Sequence, residues 1–384
     1  MSVKISGLRC YVIPGDWKEF VFLILECDDG TIGVGEATIT NRGRTTASAI
    51  RDISDYLIGR DPGLIESHWT TLYRRFHWRG GAVQMSALAA VDQALWDIAG
   101  QVAGLPVHRL LGGACHPRVR TYLNQWYRGA RDSDELTERA RAAVADGATG
   151  LKWYPLRFIE LDRQVHRLTG AEMGAAVAEV AAVREAVGAE VDLMVDLSGV
   201  IDAVSAVAFC KAIEDLDLLF VEEPAPPENP ELLKAISGSV PVRIAAGERR
   251  YSRWDFRELI EGQAVGYVQP GVCRAGGITE IRKIAAMAEV YNIGVAPYNP
   301  AGPVATAATV HAAATLPNFV IMECYPQGYP AVCQEVMASA LVMDGDGFAL
   351  PEAPGLGVTL DESALRRLAV ASMCVGVEWA GRPA

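Results

Sequence analysis

From residue 119 to about 325 the chain alternates short apolar runs that end in polar residues with longer amphipathic stretches. The runs are VRTYLNQ (119–125), GLKWYP (150–155), DLMVDLS (192–198), LFVEEP (219–224), VRIAAGE (242–248), VGYVQPG (265–271), IGVAPYN (293–299) and FVIMECY (319–325). A strand, a crossover helix and a parallel strand form the repeating unit of α/β folds, so eight strand-then-helix units predict a closed parallel (β/α) barrel. The rival, a doubly wound open sheet, lacks its signature, because no GxGxxG follows a strand and opens a helix. Before the barrel, FVFLILECDDGTIGVGEAT has two β-rich runs joined by Asp28-Asp29-Gly30, a tight hairpin turn. MSALAAVDQALWDIAGQVAG places apolar residues at helical spacing and ends in Gly, a helix with a C-terminal stop. Residues 1–118 thus read as an α+β unit and 119–349 as the barrel. Residues 350–384, which open Pro- and Gly-rich and are too few for a domain, read as a segment that packs back on the N-terminal unit.

Composition narrows the function classes. Half of the 384 residues are hydrophobic and 21% are charged, as in ordinary globular proteins. A formal net charge of −12 disfavours nucleic acid and acidic membranes, which are bound through clustered Lys and Arg. The eight cysteines are scattered without a CxxC pair and read as buried thiols of a reducing compartment. With no apolar run near membrane-spanning length and no signal-like N-terminus, a cytoplasmic protein is expected.

The chemistry concentrates in three acids. Asp196, Glu222 and Glu248 close the third, fourth and fifth runs, one per βα unit. The C-terminal strand ends of a parallel barrel converge on one face, so acids at equivalent places on successive strands point at a common centre. Like charges raise one another's pKa and repel, and a hard divalent cation resolves this. Oxygen-only ligation favours Mg²⁺, with Mn²⁺ as a substitute, over zinc. A single acid at a strand end more commonly caps the following helix. Three in register, within Glu222-Glu223-Pro224 and Gly247-Glu248, favour the metal.

The stretches YLIGRDP, WRGG, MSALAAVDQALWDIAGQ, FVEEP, AAGERRYSRWDF, RAGGITEIRKIAAMAE, NPAGPVATAA and PGLGVTLDE resemble, along nearly the whole chain, the mandelate racemase/muconate lactonizing subgroup of the enolase superfamily, and most closely its acid-sugar (galactonate-type) dehydratases. The resemblance implies a modified barrel capped by the N-terminal region and C-terminal tail, with Mg²⁺ bound by Asp196, Glu222 and Glu248 and a substrate carboxylate on that metal. It also implies removal of the proton α to the carboxylate, with the metal stabilising the enediolate. Dehydration is the favoured outcome. A racemase, epimerase or lactone cycloisomerase shares the first step, and a metal-binding barrel that has lost catalysis is a reading from another class.

The usual acid/base residues of these relatives are absent. Where they carry a seventh-strand His paired with a sixth-strand Asp, this chain has Tyr298 and Gly271, and Ser198 stands where galactonate-type dehydratases have a His. All six histidines (68, 77, 108, 116, 166 and 311) lie off the strand ends, His77 included. Lys152, Tyr154, Tyr298 and Glu323 remain as acid/base candidates. Lys152 and Tyr154 are two apart on the second strand and so emerge on one side. An unperturbed Lys or Tyr titrates near ~10 and needs neighbouring cations or burial to serve as a base. For Lys152 a purely charge-neutralising role stands beside the catalytic one, and for Tyr154 and Tyr298 the role of packed aromatics does. Glu323 matches the family's eighth-strand acid, which contacts substrate or an ordered water. Trp17, Arg42 and Arg44 occupy loops that close over the barrel in relatives and, with Ser198, are candidates for reading the substrate.

Overall fold

The computed structural model describes residues 3–75, 77–159 and 166–376. An antiparallel sheet of β1 (Ile5–Pro14), β2 (Glu19–Cys27) and β3 (Ile32–Glu36) opens the chain, with the turn after β2 closed by the Gly30 N–H on the Cys27 carbonyl at 3.0 Å. Helices α1 (Gly43–Leu57), α2 (Ile65–Arg75) and α3 (Ala82–Ala103) follow. Gly104 ends α3 in the left-handed conformation that a β-carbon disfavours, the stop expected from the sequence. The C-terminal strand Ala371–Val375 pairs antiparallel with β1, so the end of the chain completes the N-terminal sheet.

The eight expected runs are the eight parallel strands: β4 (Arg118–Leu123), β5 (Gly150–Trp153), β6 (Asp192–Asp196), β7 (Leu218–Glu222), β8 (Ile244–Ala246), β9 (Tyr267–Val268), β10 (Gly294–Val295) and β11 (Met322–Cys324). They pair in chain order from β4 to β10. The ring closes where β11 pairs with β4 and where Val295 bridges to Phe319. A hairpin, Met343–Asp344 with Gly347–Ala349, adds to the outer edge of β4.

Period-2 alternation stacks the barrel interior in layers. Tyr122, Met194, Phe220, Ala245, Ala296 and Ile321 form one buried apolar cluster. Two positions further along the same strands stand Asn124, Asp196, Glu222, Gly247, Tyr298 and Glu323. The apolar plug is thus the floor of a polar layer at the C-terminal strand ends, and Lys152 and Gln269 join that layer from β5 and the end of β9.

Polar side chains join the cap to the barrel. Buried Glu36 accepts from the Thr38 hydroxyl (2.6 Å) and from the backbone N–H groups of Gly302 (2.6 Å) and Ala305 (3.0 Å), capping the barrel helix Pro303–Ala314 from another unit. On α3, Asp92 accepts from Thr279 N of the barrel at 3.1 Å, while Asp97 ties α3 to β3 and the C-terminal segment, accepting from Val34 N and Leu356 N at 2.9 and 2.8 Å. Hydrogen bonds to charged groups contribute ~1.5–3 kcal/mol each, and removing one partner leaves a buried group stranded. The loop between β1 and β2 lies over the C-terminal strand ends: Lys18 donates to the Pro300 carbonyl, and Trp17 packs under the Arg128 guanidinium.

Two sequence expectations change here. The second strand ends at Trp153, so Tyr154 has left it and its hydroxyl donates to the Ile159 carbonyl at 3.4 Å. The cysteines are not all buried, since Cys115 is exposed and Cys374 half-buried. Among the described residues no helix is long and apolar enough to cross a membrane.

Candidate active site

Asp196 and Glu222 are directly paired across β6 and β7, and Glu222 is paired in turn with Ala245 of β8. Glu248 follows two residues after β8 because Gly247 turns the chain at φ 136°, where a β-carbon would lie 2.6 Å from the Phe256 ring. The adjoining loops also turn tightly: Ser198 and Glu223 have φ of 49° and 40°, positions that non-glycine residues seldom occupy.

The side chains around these acids form a charge network. The Lys152 ammonium, fully buried, pairs with Glu222 Oε2 and lies 3.5 Å from Glu323 Oε1. Gln269 donates to Glu222 Oε2 at 2.8 Å. Glu323 is held by Asn124 Nδ2 at 2.5 Å and by the Asn299 N–H at 3.3 Å. Asp196 accepts from the Ser198 N–H at 2.7 Å and the Ser198 hydroxyl at 3.0 Å. Glu223 pairs with Arg249, and Arg274 Nη1 donates to the Glu248 carbonyl at 3.5 Å while its guanidinium stacks 4.4 Å over Tyr298.

The electrostatics follow from burial and crowding. Burial pushes the Glu222 carboxyl well up, against the pull of Lys152, and Asp196, Glu248 and Glu323 push the same way. Glu248 is raised to about 8 by burial and then by Glu223 and Asp196. Burial alone would lower Lys152, but Glu222 and Glu323 outweigh it and hold the ammonium well above its ordinary value. Tyr154 is likewise raised, chiefly by burial and then by Asp196, and burial raises Tyr298 against the pull of Arg274, with Glu248 and Glu323 adding to the rise. The sequence argument expected cations to lower these groups. Here burial decides the tyrosines, and the carboxylates decide Lys152.

The donor set suits a hard cation. Three carboxylates crowd without enough positive charge, and Glu222 Oε1 is buried with no hydrogen-bond partner among the described residues. In the observed conformation they are not closed round one point: among the described residues, no three His, Cys, Asp or Glu side chains form an ion cage. Glu222 is turned to Lys152 and Gln269, and Asp196 to Ser198.

Lys152, Tyr298, Glu323 and the three acids are thus brought into one electrostatic network. Ser198 orients Asp196, and Tyr154 lies at the edge, near enough for Asp196 to act on it. Trp17 is at the mouth. Arg42 and Arg44 are not drawn in: both are exposed at the start of α1, and the Arg42 guanidinium donates to the neighbouring Asn41 carbonyl. Asn124, Gln269 and Arg274 join the network without having been expected from the sequence, although the first two stand at strand ends, where the position rule that picks out the acids also applies. Gly271 and Tyr298 explain each other, since a β-carbon on Gly271 would come 3.1 Å from the Tyr298 ring.

Two family models account for most of the chain: the mandelate racemase / muconate lactonizing enzyme N-terminal domain matches residues 15–112, and the enolase C-terminal domain-like model matches residues 135–364. The chain belongs to the enolase superfamily. Within it, the chain is 38% identical to D-galactonate dehydratase of Ralstonia pickettii over 94% of its own length and 93% of the relative's. It is also 38% identical to D-galactonate dehydratase of Xanthomonas euvesicatoria, with 95% and 94% covered. A solved enolase-superfamily member from Salmonella Typhimurium is 29% identical with a TM-score of 0.91, covering 97% of this chain and all of that one. A mandelate racemase/muconate lactonizing enzyme-like protein from Rubrobacter xylanophilus is 32% identical with a TM-score of 0.87, over 96% and 98%. Matched end to end with curated dehydratases, the chain is an enzyme, a hydro-lyase.

Proposed function

We propose that this enzyme dehydrates an acid sugar, with Mg²⁺ held by Asp196, Glu222 and Glu248. The observation that carries the reading is the crowding of these carboxylates at adjacent strand ends, with buried Glu222 Oε1 left without a partner among the described residues. The relatives named D-galactonate dehydratase support an aldonate or a similar hydroxy-acid as substrate. A divalent cation in this site supplies the positive charge against which the enediolate oxygens develop.

The chain's own residues do the rest. Among the described residues Lys152 is the ammonium that pairs with both a ligand acid and Glu323. We assign it as the base that would take the proton α to the substrate carboxylate as the neutral amine, released once the acids that hold its proton are relieved by a bound cation. Tyr154 belongs to the same side, at the edge of the site. Tyr298, three strands away around the ring and stacked on Arg274, is the donor for the departing β-hydroxyl, which leaves as water. Glu323, fixed by Asn124 and Asn299, orients substrate hydroxyls. The plug beneath excludes water from the floor. Ser198 holds Asp196, and Trp17 covers the mouth, whereas Arg42 and Arg44 have no assigned contact. The enzyme is expected to work as a homo-oligomer in the cytoplasm.

Calorimetric titration with Mg²⁺ tests the centre of this reading. One site per chain is expected, and Glu222→Gln, which keeps the shape and removes the charge, should weaken binding by roughly 100-fold. Unchanged affinity in that variant would remove Glu222 from the ligand set.

A further inference from the structure

Two cations at the barrel mouth lack counter-charges among the described residues. Lys18 is buried in the loop between β1 and β2, where its ammonium donates to the Pro300 carbonyl and lies 4.6, 5.2 and 5.3 Å from the ring centres of Trp17, Phe20 and Tyr325. Arg128, exposed in the loop after β4, stacks 5.1 Å over the Trp17 ring. Among the described residues no carboxylate is within ion-pair distance of either. Glu36 is the acid that acts most on Lys18, but its oxygens are engaged by Thr38, Gly302 and Ala305. A buried ammonium on aromatic faces and one carbonyl is only partly compensated. Burial and nearby Arg274 accordingly draw Lys18 down to about 8.

Both cations line one cavity of about 210 Å³, with Trp17, Gln125, Tyr325 and Gln327 and with exposed Asp16, so positive charge is in excess. A whole ligand pocket usually measures about 300–1,000 Å³, so this volume suits one end of a ligand. Its walls adjoin the polar layer: Gln125 follows Asn124, and Tyr325 is two residues beyond Glu323.

We propose that Lys18 and Arg128 bind a second anionic group at the far end of the substrate, which makes this enzyme's substrate an acid sugar charged at both ends. The inference rests on the Mg²⁺-dependent dehydration of an acid sugar proposed above. The terminal anion is a carboxylate or a phosphate ester, both of which accept hydrogen bonds from an ammonium and a guanidinium.

The test is calorimetric binding to the full chain in Mg²⁺ of galactarate (two carboxylates), 6-phosphogluconate (a carboxylate and a phosphate) and galactonate (one carboxylate). At least one doubly charged ligand should bind roughly 10- to 100-fold more tightly than galactonate, and which one does so identifies the terminal anion. Lys18→Met and Arg128→Gln should each erase most of that preference while leaving galactonate and Mg²⁺ binding unchanged, and Lys18→Arg should retain it. Because Lys18 is buried, exposed Arg128 provides the variant that does not threaten folding. Galactonate binding as tightly as both others, or a preference that survives both variants, overturns the proposal with the Mg²⁺ site intact. Absence of Mg²⁺ binding overturns the underlying reading and this proposal with it.

Discussion

Lys152 shares its ammonium between Glu222 and Glu323, and one substitution there changes both the local charge and the proton chemistry. Lys152→Ala should lower α-proton exchange by ~10²–10⁴-fold, the range for loss of a positioned acid or base. Tyr298→Phe should leave exchange largely intact and slow the loss of water. Deuterium uptake followed by NMR, with Mg²⁺ affinity measured in parallel to register any disturbance of Glu222, separates these effects. Wild-type exchange in Lys152→Ala would shift the base to Glu323. The acids were legible in the sequence because a carboxylate at a strand end is conspicuous and recurs once per unit. Asn124 and Gln269 were not, because amides carry no charge to raise the question of compensation. Nor was the upward shift of Tyr298 and Tyr154, which depends on packing density and on distances between strands far apart in the chain.

At the scale of elements, the apolar runs located every barrel strand, but they overran the strand ends by one to four residues. Those overruns carry residues of the proposed site. Glu248, Gln269 and Tyr298 all lie beyond the last paired residue of their strands. Turn geometry there is fixed by contacts such as Gly247 against Phe256, which no local pattern records. The polar grip of α3 was equally hidden, because Asp92, which holds the barrel at Thr279, and Asp97, which holds β3 and the C-terminal segment, sit inside a strongly apolar helix. Burial raises Asp92 to about 7 and Asp97 to about 6. The folded state therefore holds protons that the unfolded chain releases near ~4, so this contribution is fully present below ~pH 4 and is lost as pH rises through 6 to 7. Asp92→Asn keeps an acceptor for Thr279 and removes the titration. Thermal unfolding between pH 5 and 8 should show the wild type losing a few degrees more than this variant, on the order of 1 kcal/mol. Parallel profiles would mean that Asp92 does not titrate in that interval.

For the whole molecule, three separate parts of the chain meet at one mouth: the loop between β1 and β2, the strand ends of the barrel, and the segment after β11 that shares a cavity with Trp17 and Lys18. Closing such a site excludes water from a developing enediolate and lets remote groups on the substrate contribute to its orientation. The absence of the seventh-strand His does not empty the site, because Tyr298 and Arg274 fill that space and Gly271 makes room for them. The account is tested most directly by incubating the enzyme with Mg²⁺ and acid sugars in D₂O and following products by NMR and mass spectrometry. It predicts a product lighter by one water, formed only with metal and lost in Glu222→Gln. Deuterium incorporated with no loss of mass as water would contradict it and mark an isomerase.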